Sequence, residues 1–239
     1  MKLQSWTRSA TGSRYDGRRV GTFGELSSFS FYFGHHLSTI EGGMVTTDDE
    51  ELHHLLLQIR AHGWANELPP EAQAAAADRH GVLDFNRRFA FYHPGFNVRS
   101  TDLNARLGLS QLTRADDVVT RRVHNDTIFR ARFRDADGFL CQRNDRATIS
   151  SISFAALASS REHRDRVGAA LRAAQVETRP LGGGSMGRQP FWTARYGVQA
   201  MPVADRVHDC SFMLPNHPKL TDDDVNAMCD VVLAVPPRG

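Results

Sequence analysis

The sequence is short of sulfur, of long apolar runs and of net charge. Its three cysteines, Cys141, Cys210 and Cys229, lie far apart and form no CxxC pair. That argues against a disulfide framework or a thiolate-built metal cluster and suits reduced thiols in a cytoplasmic protein. No run of about 18 apolar residues occurs, so no transmembrane helix is expected. Residues 1–8 (MKLQSWTR) have no apolar core of the kind a signal peptide needs. The formal net charge is only +2, with both signs interspersed. Arginine dominates the basic set, but no basic run is interleaved with stacking aromatics, and nucleic acid is not an expected partner. Eleven histidines are present, yet HExxH and HxH patterns are missing, and no metal site is expected.

What is there has the balance of a soluble globular protein: 239 residues, 41% hydrophobic and 23% charged. Residues 27–33 (SSFSFYF) read as a strand ending at Gly34, and Glu41-Gly42-Gly43 turns into a second strand at 44–46. Thr47 and Glu50 have capping-box spacing before a helix whose Leu52, Leu55, Leu56 and Ile59 share one face. Residues 66–88 mix a Pro pair, an Ala run and charge, and read as a long surface loop with one weak helical turn. Ser100 or Thr101 caps a helix carrying Leu103, Leu107 and Leu112, and a charged helix follows to about Asp135. Farther on, strands are expected at 148–157, 176–179 and 211–214, and helices at 160–174 and from Thr221 onward. This alternation suggests a small α/β or α+β domain.

Most of the histidines have plain explanations. His53 and His54 are adjacent on a helix, so at least one faces solvent, while His80, His124 and His163 lie among charges and read as solvated. His35 and His36 differ, because they follow a strand that ends in glycine and precede a Ser/Thr segment. Side chains just past a strand end commonly face a ligand crevice in α/β folds. From position alone, a ligand-facing pair and a satisfied structural pair both remain open.

Residues 30–43 (SFYFGHHLSTIEGG) resemble the lysine-bearing segment of the DegT/DnrJ/EryC1/StrS family of fold-type-I, pyridoxal-phosphate-dependent sugar aminotransferases and dehydratases. The family pattern is SF, three variable residues, a lysine, then a Ser/Thr region ending in EGG; here the lysine position holds His35. Residues 59–64 (IRAHGW), 94–112 (PGFNVRSTDLNARLGLSQL), 176–180 (VETRP) and 214–218 (LPNHP) resemble further family blocks. A histidine in place of the lysine marks the family's 3-dehydratase branch, and the resemblance is strongest to those members that act on GDP-4-keto-6-deoxymannose. No cysteine precedes Cys141, so the iron–sulfur centre of another dehydratase group is not expected.

The resemblance implies the C-terminal part of a fold-type-I pyridoxal-phosphate transferase. Residues 1–115 would be what is present of the large domain, and 116–239 a linking helix with the small α+β domain. The implied cofactor is pyridoxal 5'-phosphate or pyridoxamine 5'-phosphate, the substrate a nucleotide sugar and the amino donor glutamate, in a homodimer. Ser30 would bind the cofactor phosphate, and Asn97 would reach the partner's phosphate across the dimer. Tyr32 would line the site, and Arg99 and Arg179 would meet the substrate's diphosphate as bidentate donors. Imidazole cannot form a lysine's stable Schiff base but can act as a base near neutral pH, so His35 is the expected catalytic group. The family's phosphate loop, ring-stacking aromatic and ring-nitrogen aspartate precede these blocks. Aligning Gly12 with the family puts Trp6 at that aspartate, so a truncated reading frame is expected. Three readings stay open: a 3-dehydratase, an aminotransferase-family protein without transaminase activity, and a non-catalytic remnant or dimerisation partner.

Overall fold

The computed structural model describes residues 11–237; Trp6 lies outside them. Contacts divide the chain into two compact units, one made of residues 20–113 and the other of residues 11–19 with 114–237. Two short strands, β1 (Arg14–Tyr15) and β2 (Arg18–Arg19), belong to the second unit.

The first unit opens with an antiparallel hairpin of β3 (Ser27–Ser30) and β4 (Gly43–Thr46), in which Ser27 faces Thr46 and Ser30 faces Gly43. Helix α1 (Glu50–Arg60) follows, and its cap corrects the expected box. Asp49, not Thr47, accepts the Leu52 amide at 2.9 Å, while Thr47 donates to the Glu25 carbonyl. The carboxylate one residue from the helix start has the better reach to the third amide.

The expected loop at 66–88 is also corrected. Pro70 at the first helical position and the Ala run support a real helix, α2 (Pro70–Arg79), and a 3₁₀ segment at Asp84–Phe89 follows. Helix α3 (Asp102–Leu112) is capped by Thr101 in a reciprocal box with Asn104, and none of its residues is buried. Leu103, Leu107 and Leu112 are exposed.

The segment before α3 is tied back to α1 by backbone bonds. The Phe96 amide donates to Ile59, the His62 amide to Phe96 and the Val98 amide to Arg60. Gly63 makes this approach possible: its φ is +86°, and an added Cβ would lie 1.7 Å from the His93 carbonyl oxygen. Gly63→Ala therefore combines a left-handed backbone penalty with a clash against main chain. Trp64 reports on the site, since its ring stacks on Phe91 at 5.8 Å and its indole donates to the Arg88 carbonyl. The expected result is a loss of more than about 2 kcal/mol in urea unfolding followed by Trp64 fluorescence; an unchanged midpoint would contradict this packing.

The second unit is organised by a conventional core. Helix α4 (Ala115–Phe133) leads to β5 (Phe139–Leu140), β6 (Ala147–Thr148) and β7 (Ser153–Ala158). Then come α5 (Arg161–Ala173), α6 (Pro190–Tyr196), α7 (Pro202–Cys210), β8 (Ser211–Pro215) and α8 (Asp222–Leu233). One sheet has the antiparallel order β5-β7-β8 and the other β2-β1-β6. Along β7, Phe154, Ala156 and Ala158 alternate into the core, as a half-buried strand requires. They meet Phe129 and Phe133 of α4, Val167 and Leu171 of α5, and Val225 and Val232 of α8. The expected strand at 148–157 is thus interrupted. The one at 176–179 reduces to a single bridge between Arg179 and Met213, with the Thr178 hydroxyl donating to the Met213 carbonyl at 2.9 Å.

The LPNHP block serves packing. Asn216 is fully buried and donates to the Arg122 and Ser151 carbonyls, while the Arg122 guanidinium donates to the Asn216 carbonyl at 2.5 Å. Burial pushes Arg122 down to about 10, which still leaves it charged at neutral pH. His163 corrects another expectation. It is not solvated but buried, with Nε2 2.8 Å from the Val235 carbonyl and Nδ1 3.0 Å from the Ser159 hydroxyl. Among the described residues, no helix is long and apolar enough to cross a membrane.

Candidate active site

The β3–β4 hairpin carries the site in the loop between its strands. Beyond Ser30 the ladder continues for one bond, from the Phe31 amide to the Gly42 carbonyl, and the Thr39 amide returns to the Phe31 carbonyl. The loop 31–42 is therefore closed at its base by main chain. Within it, the His35 amide donates to the Tyr32 carbonyl at 3.0 Å, a tight turn that projects residues 32–35 from the strand end.

That turn brings the sequence-chosen residues together. The His35 ring lies edge-on to the Tyr32 ring, centroids 6.0 Å apart, and His35 is half-buried. Tyr32 is exposed, and its amide donates to the Ser30 hydroxyl oxygen at 3.4 Å. His36 is buried.

Two residues that the sequence reading passed over hold the loop in place. Thr39 is buried, and its hydroxyl donates to the Glu41 carbonyl at 2.8 Å. The Asn104 carboxamide, from the first turn of α3, donates to the Thr39 carbonyl at 2.8 Å and the Glu41 carbonyl at 3.3 Å. The Asn104 side-chain oxygen accepts from the Thr101 amide and completes the α3 capping box, so one side chain joins helix start and loop. The signal for it was the spacing of Thr101 and Asn104, which was read only as far as the cap residue. Ile40, at φ +71° and exposed, marks the strained corner of the loop.

Asn97 lies on the segment bridged to α1, opposite Ala61, with an exposed carboxamide that has no partner among the described residues. Arg99 faces Glu67 at 4.0 Å, a carboxylate that Arg60 also contacts. Ser30, Tyr32, His35, Asn97 and Arg99 all belong to the first unit. Arg179 belongs to the second, where it is exposed beside β8.

The site thus places a half-buried histidine on a closed hairpin loop that follows a strand ending in serine. The pattern of the DegT/DnrJ/EryC1/StrS aminotransferase family matches residues 7–233. The chain belongs to this family. Among family relatives, GDP-4-keto-6-deoxy-D-mannose 3-dehydratase of Yersinia pseudotuberculosis is 41% identical over 122 residues, covering 51% of this chain and 30% of that protein. The enzyme of the same name from Escherichia coli O55:H7 is 32% identical over 171 residues, covering 71% of this chain and 44% of that protein. The solved structure of E. coli GDP-4-keto-6-deoxy-D-mannose-3-dehydratase with bound hydrated PLP superposes with a TM-score of 0.80 at 25% identity. It covers 95% of this chain and 59% of that one. The fold is therefore the α/β fold of these family structures. The chain spans about half the length of the curated relatives it matches.

Proposed function

We propose that this chain carries the base and part of the phosphate-binding set of a pyridoxal- or pyridoxamine-phosphate enzyme acting on nucleotide sugars. The reaction we assign is loss of the C3 hydroxyl from a 4-keto-6-deoxy sugar, with glutamate as amino donor. The observation that carries this reading is the half-buried imidazole of His35 on the closed loop beside Ser30, at the family's lysine position.

The donor set fits the cofactor. Ser30 accepts from the Tyr32 amide, which leaves its hydroxyl proton to be given to a phosphate oxygen. The Asn97 carboxamide, exposed and without a partner among the described residues, suits a phosphate held across a pair of copies. Lys2 and Lys219 are the chain's two lysines, and residues 20–113 contain none. Residues 20–113 therefore offer no side-chain amine to tether the cofactor covalently, which favours a cofactor held in its own amine form.

When bound, such a cofactor supplies an amine for the sugar's keto carbon and a ring that takes up an electron pair. The protein's part is proton movement and positioning. His35 is the group that takes up a proton, on a ring nitrogen, as imidazoles do in general base catalysis. Tyr32 limits one side of the space in front of it, and the Asn104–Thr39 clamp keeps the loop from swinging away. Arg99 and Arg179 remain proposed contacts for the diphosphate.

The test is release of a 3-deoxy sugar from a 4-keto-6-deoxy nucleotide sugar in the presence of pyridoxamine phosphate. His35→Lys should in addition gain visible absorbance with pyridoxal phosphate that wild type lacks, because a lysine restores the covalent link. Amino-sugar formation by the wild-type protein, without dehydration, would sink the reading. No turnover together with no absorbance in His35→Lys would argue instead for a non-catalytic role.

A further inference from the structure

The second unit contains a cleft that the proposed reaction does not use. About 280 Å³ in volume, it is lined by Arg161 and Arg164 of α5, Arg188, the turn 182–184, and His208 and Asp209 of α7. Three guanidinium groups meet there against one carboxylate. Asp209 is paired with Arg188 at 2.8 Å, and Arg164 uses its Nε on Asp165 at 2.7 Å. Arg161 reaches Asp165 only at 4.0 Å. The terminal nitrogens of Arg161 and Arg164 therefore have no close carboxylate among the described residues, and the cleft keeps a positive excess.

The backbone points to the same kind of ligand. Gly182 and Gly184 are left-handed, at φ +56° and +68°, with Gly183 between them outside that region. Turns of this alternating kind form concavities in which successive amides converge on an anion. The Gly184 amide is taken by the Leu181 carbonyl and the Ser185 amide by His208 Nδ1, at 3.2 Å each, but the Gly182 and Gly183 amides have no carbonyl partner among the described residues. Because His208 Nδ1 accepts, the neutral ring carries its proton on Nε2, one more donor at the cleft. An added Cβ on Gly184 would strike His208 at 2.2 Å, whereas one on Gly183 would meet nothing within 4 Å. The turn is thus packed on one side and open on the other.

We propose that this cleft binds a phosphoryl oxyanion, a phosphate or diphosphate group, held by Arg161, Arg164 and Arg188 and by the amides of Gly182 and Gly183. Its volume lies just below the range of about 300–1,000 Å³ typical of whole small-molecule sites. The cleft therefore suits the anionic group itself rather than a complete nucleotide sugar. Guanidinium forks and backbone amides are the donors that recognise phosphoryl oxygens by charge-assisted bonds.

Isothermal titration of the 239-residue chain with pyrophosphate, inorganic phosphate and GDP tests the site. Saturable binding of pyrophosphate or GDP is expected. The Arg161→Gln/Arg164→Gln double variant should weaken it about tenfold or more, since two charge-assisted contacts are lost. Gly183→Asp, which puts a carboxylate into the open side of the turn, should abolish binding while circular dichroism stays unchanged. The arginine double variant alone decides the matter should Gly183→Asp fail to fold. Tighter binding of GDP than pyrophosphate identifies the phosphate end of a nucleotide, and the reverse order a free diphosphate. Absence of saturable binding of all three up to about 10 mM overturns the proposal, as does wild-type affinity in the double variant. No readout involves turnover or His35, so this outcome is independent of the dehydratase reading.

Discussion

His35→Asn should retain pyridoxamine-phosphate binding but lose dehydration of a 4-keto-6-deoxy nucleotide sugar by about two to four orders of magnitude. That is the usual contribution of a positioned general base. Asparagine keeps a polar group of similar reach on the loop and removes only the titratable nitrogen. The loop itself should survive, because its closing bonds run through main chain at Phe31, Thr39 and Gly42 and through Asn104. Cofactor binding measured beside turnover separates lost chemistry from lost structure. Turnover within about threefold of wild type would remove His35 from proton transfer. Weakened cofactor binding with proportionally reduced turnover would make it a positioning residue.

The second large effect is on stability. Phe129→Ala should destabilise the second unit by about 3–5 kcal/mol, the usual loss for a large aromatic truncated in a close-packed core. Phe129 is fully buried, and its ring stacks on Phe154 with centroids 4.9 Å apart and planes 8° apart. Phe133 packs against the same Phe154 ring at 5.1 Å, so removing Phe129 strips one face of a three-ring cluster that joins α4 to β7. A domain is stable by only about 5–15 kcal/mol, so the variant should lie close to the folding threshold. Urea unfolding followed by far-ultraviolet circular dichroism measures this. A change below about 1 kcal/mol would mean that the cluster is not the core of the unit.

The two units differ in how they use apolar residues, and this bears on function. In the second, large side chains from α4, β7, α5 and α8 converge on one core. In the first, Phe85, Phe89, Phe91, Phe96 and Leu103 are exposed, and α3 buries nothing. Yet the loop with His35 sits in the first unit, held by hydrogen bonds to Asn104 and to main chain rather than by a core around it. Site geometry there depends on polar clamps. Substitutions at Thr39 or Asn104 should therefore alter the placement of His35 more than substitutions at exposed leucines of α3.

By themselves the residues determined what is encoded locally. The first hairpin strand, the turn to its partner strand, the Thr101 cap of α3, the Ser160 cap of α5 and the Thr221 cap of α8 all follow from neighbours a few positions apart, although the strand stops at Ser30 and not at Phe33 as its aromatic run suggested. So did the placing of His35 just past a strand end, because the segment from Ser30 to Gly43 carries the whole loop. Tertiary structure decided the rest. The Ala run at 74–77 became helix although its charged, proline-bounded context read as loop, since Pro70 starts the helix and Ala77 finds a buried place. His163 was buried against a carbonyl 72 residues away, and the expected strand at 176–179 kept one bridge, from Arg179 to Met213 of the edge strand β8. The gathering of Arg161, Arg164 and Arg188 around the turn 182–184 likewise has no local signature. Capping and turn preferences act over one helical turn or less and are legible in the chain. Burial and the meeting of charges depend on which distant segments share a neighbourhood, and only the folded protein settles that.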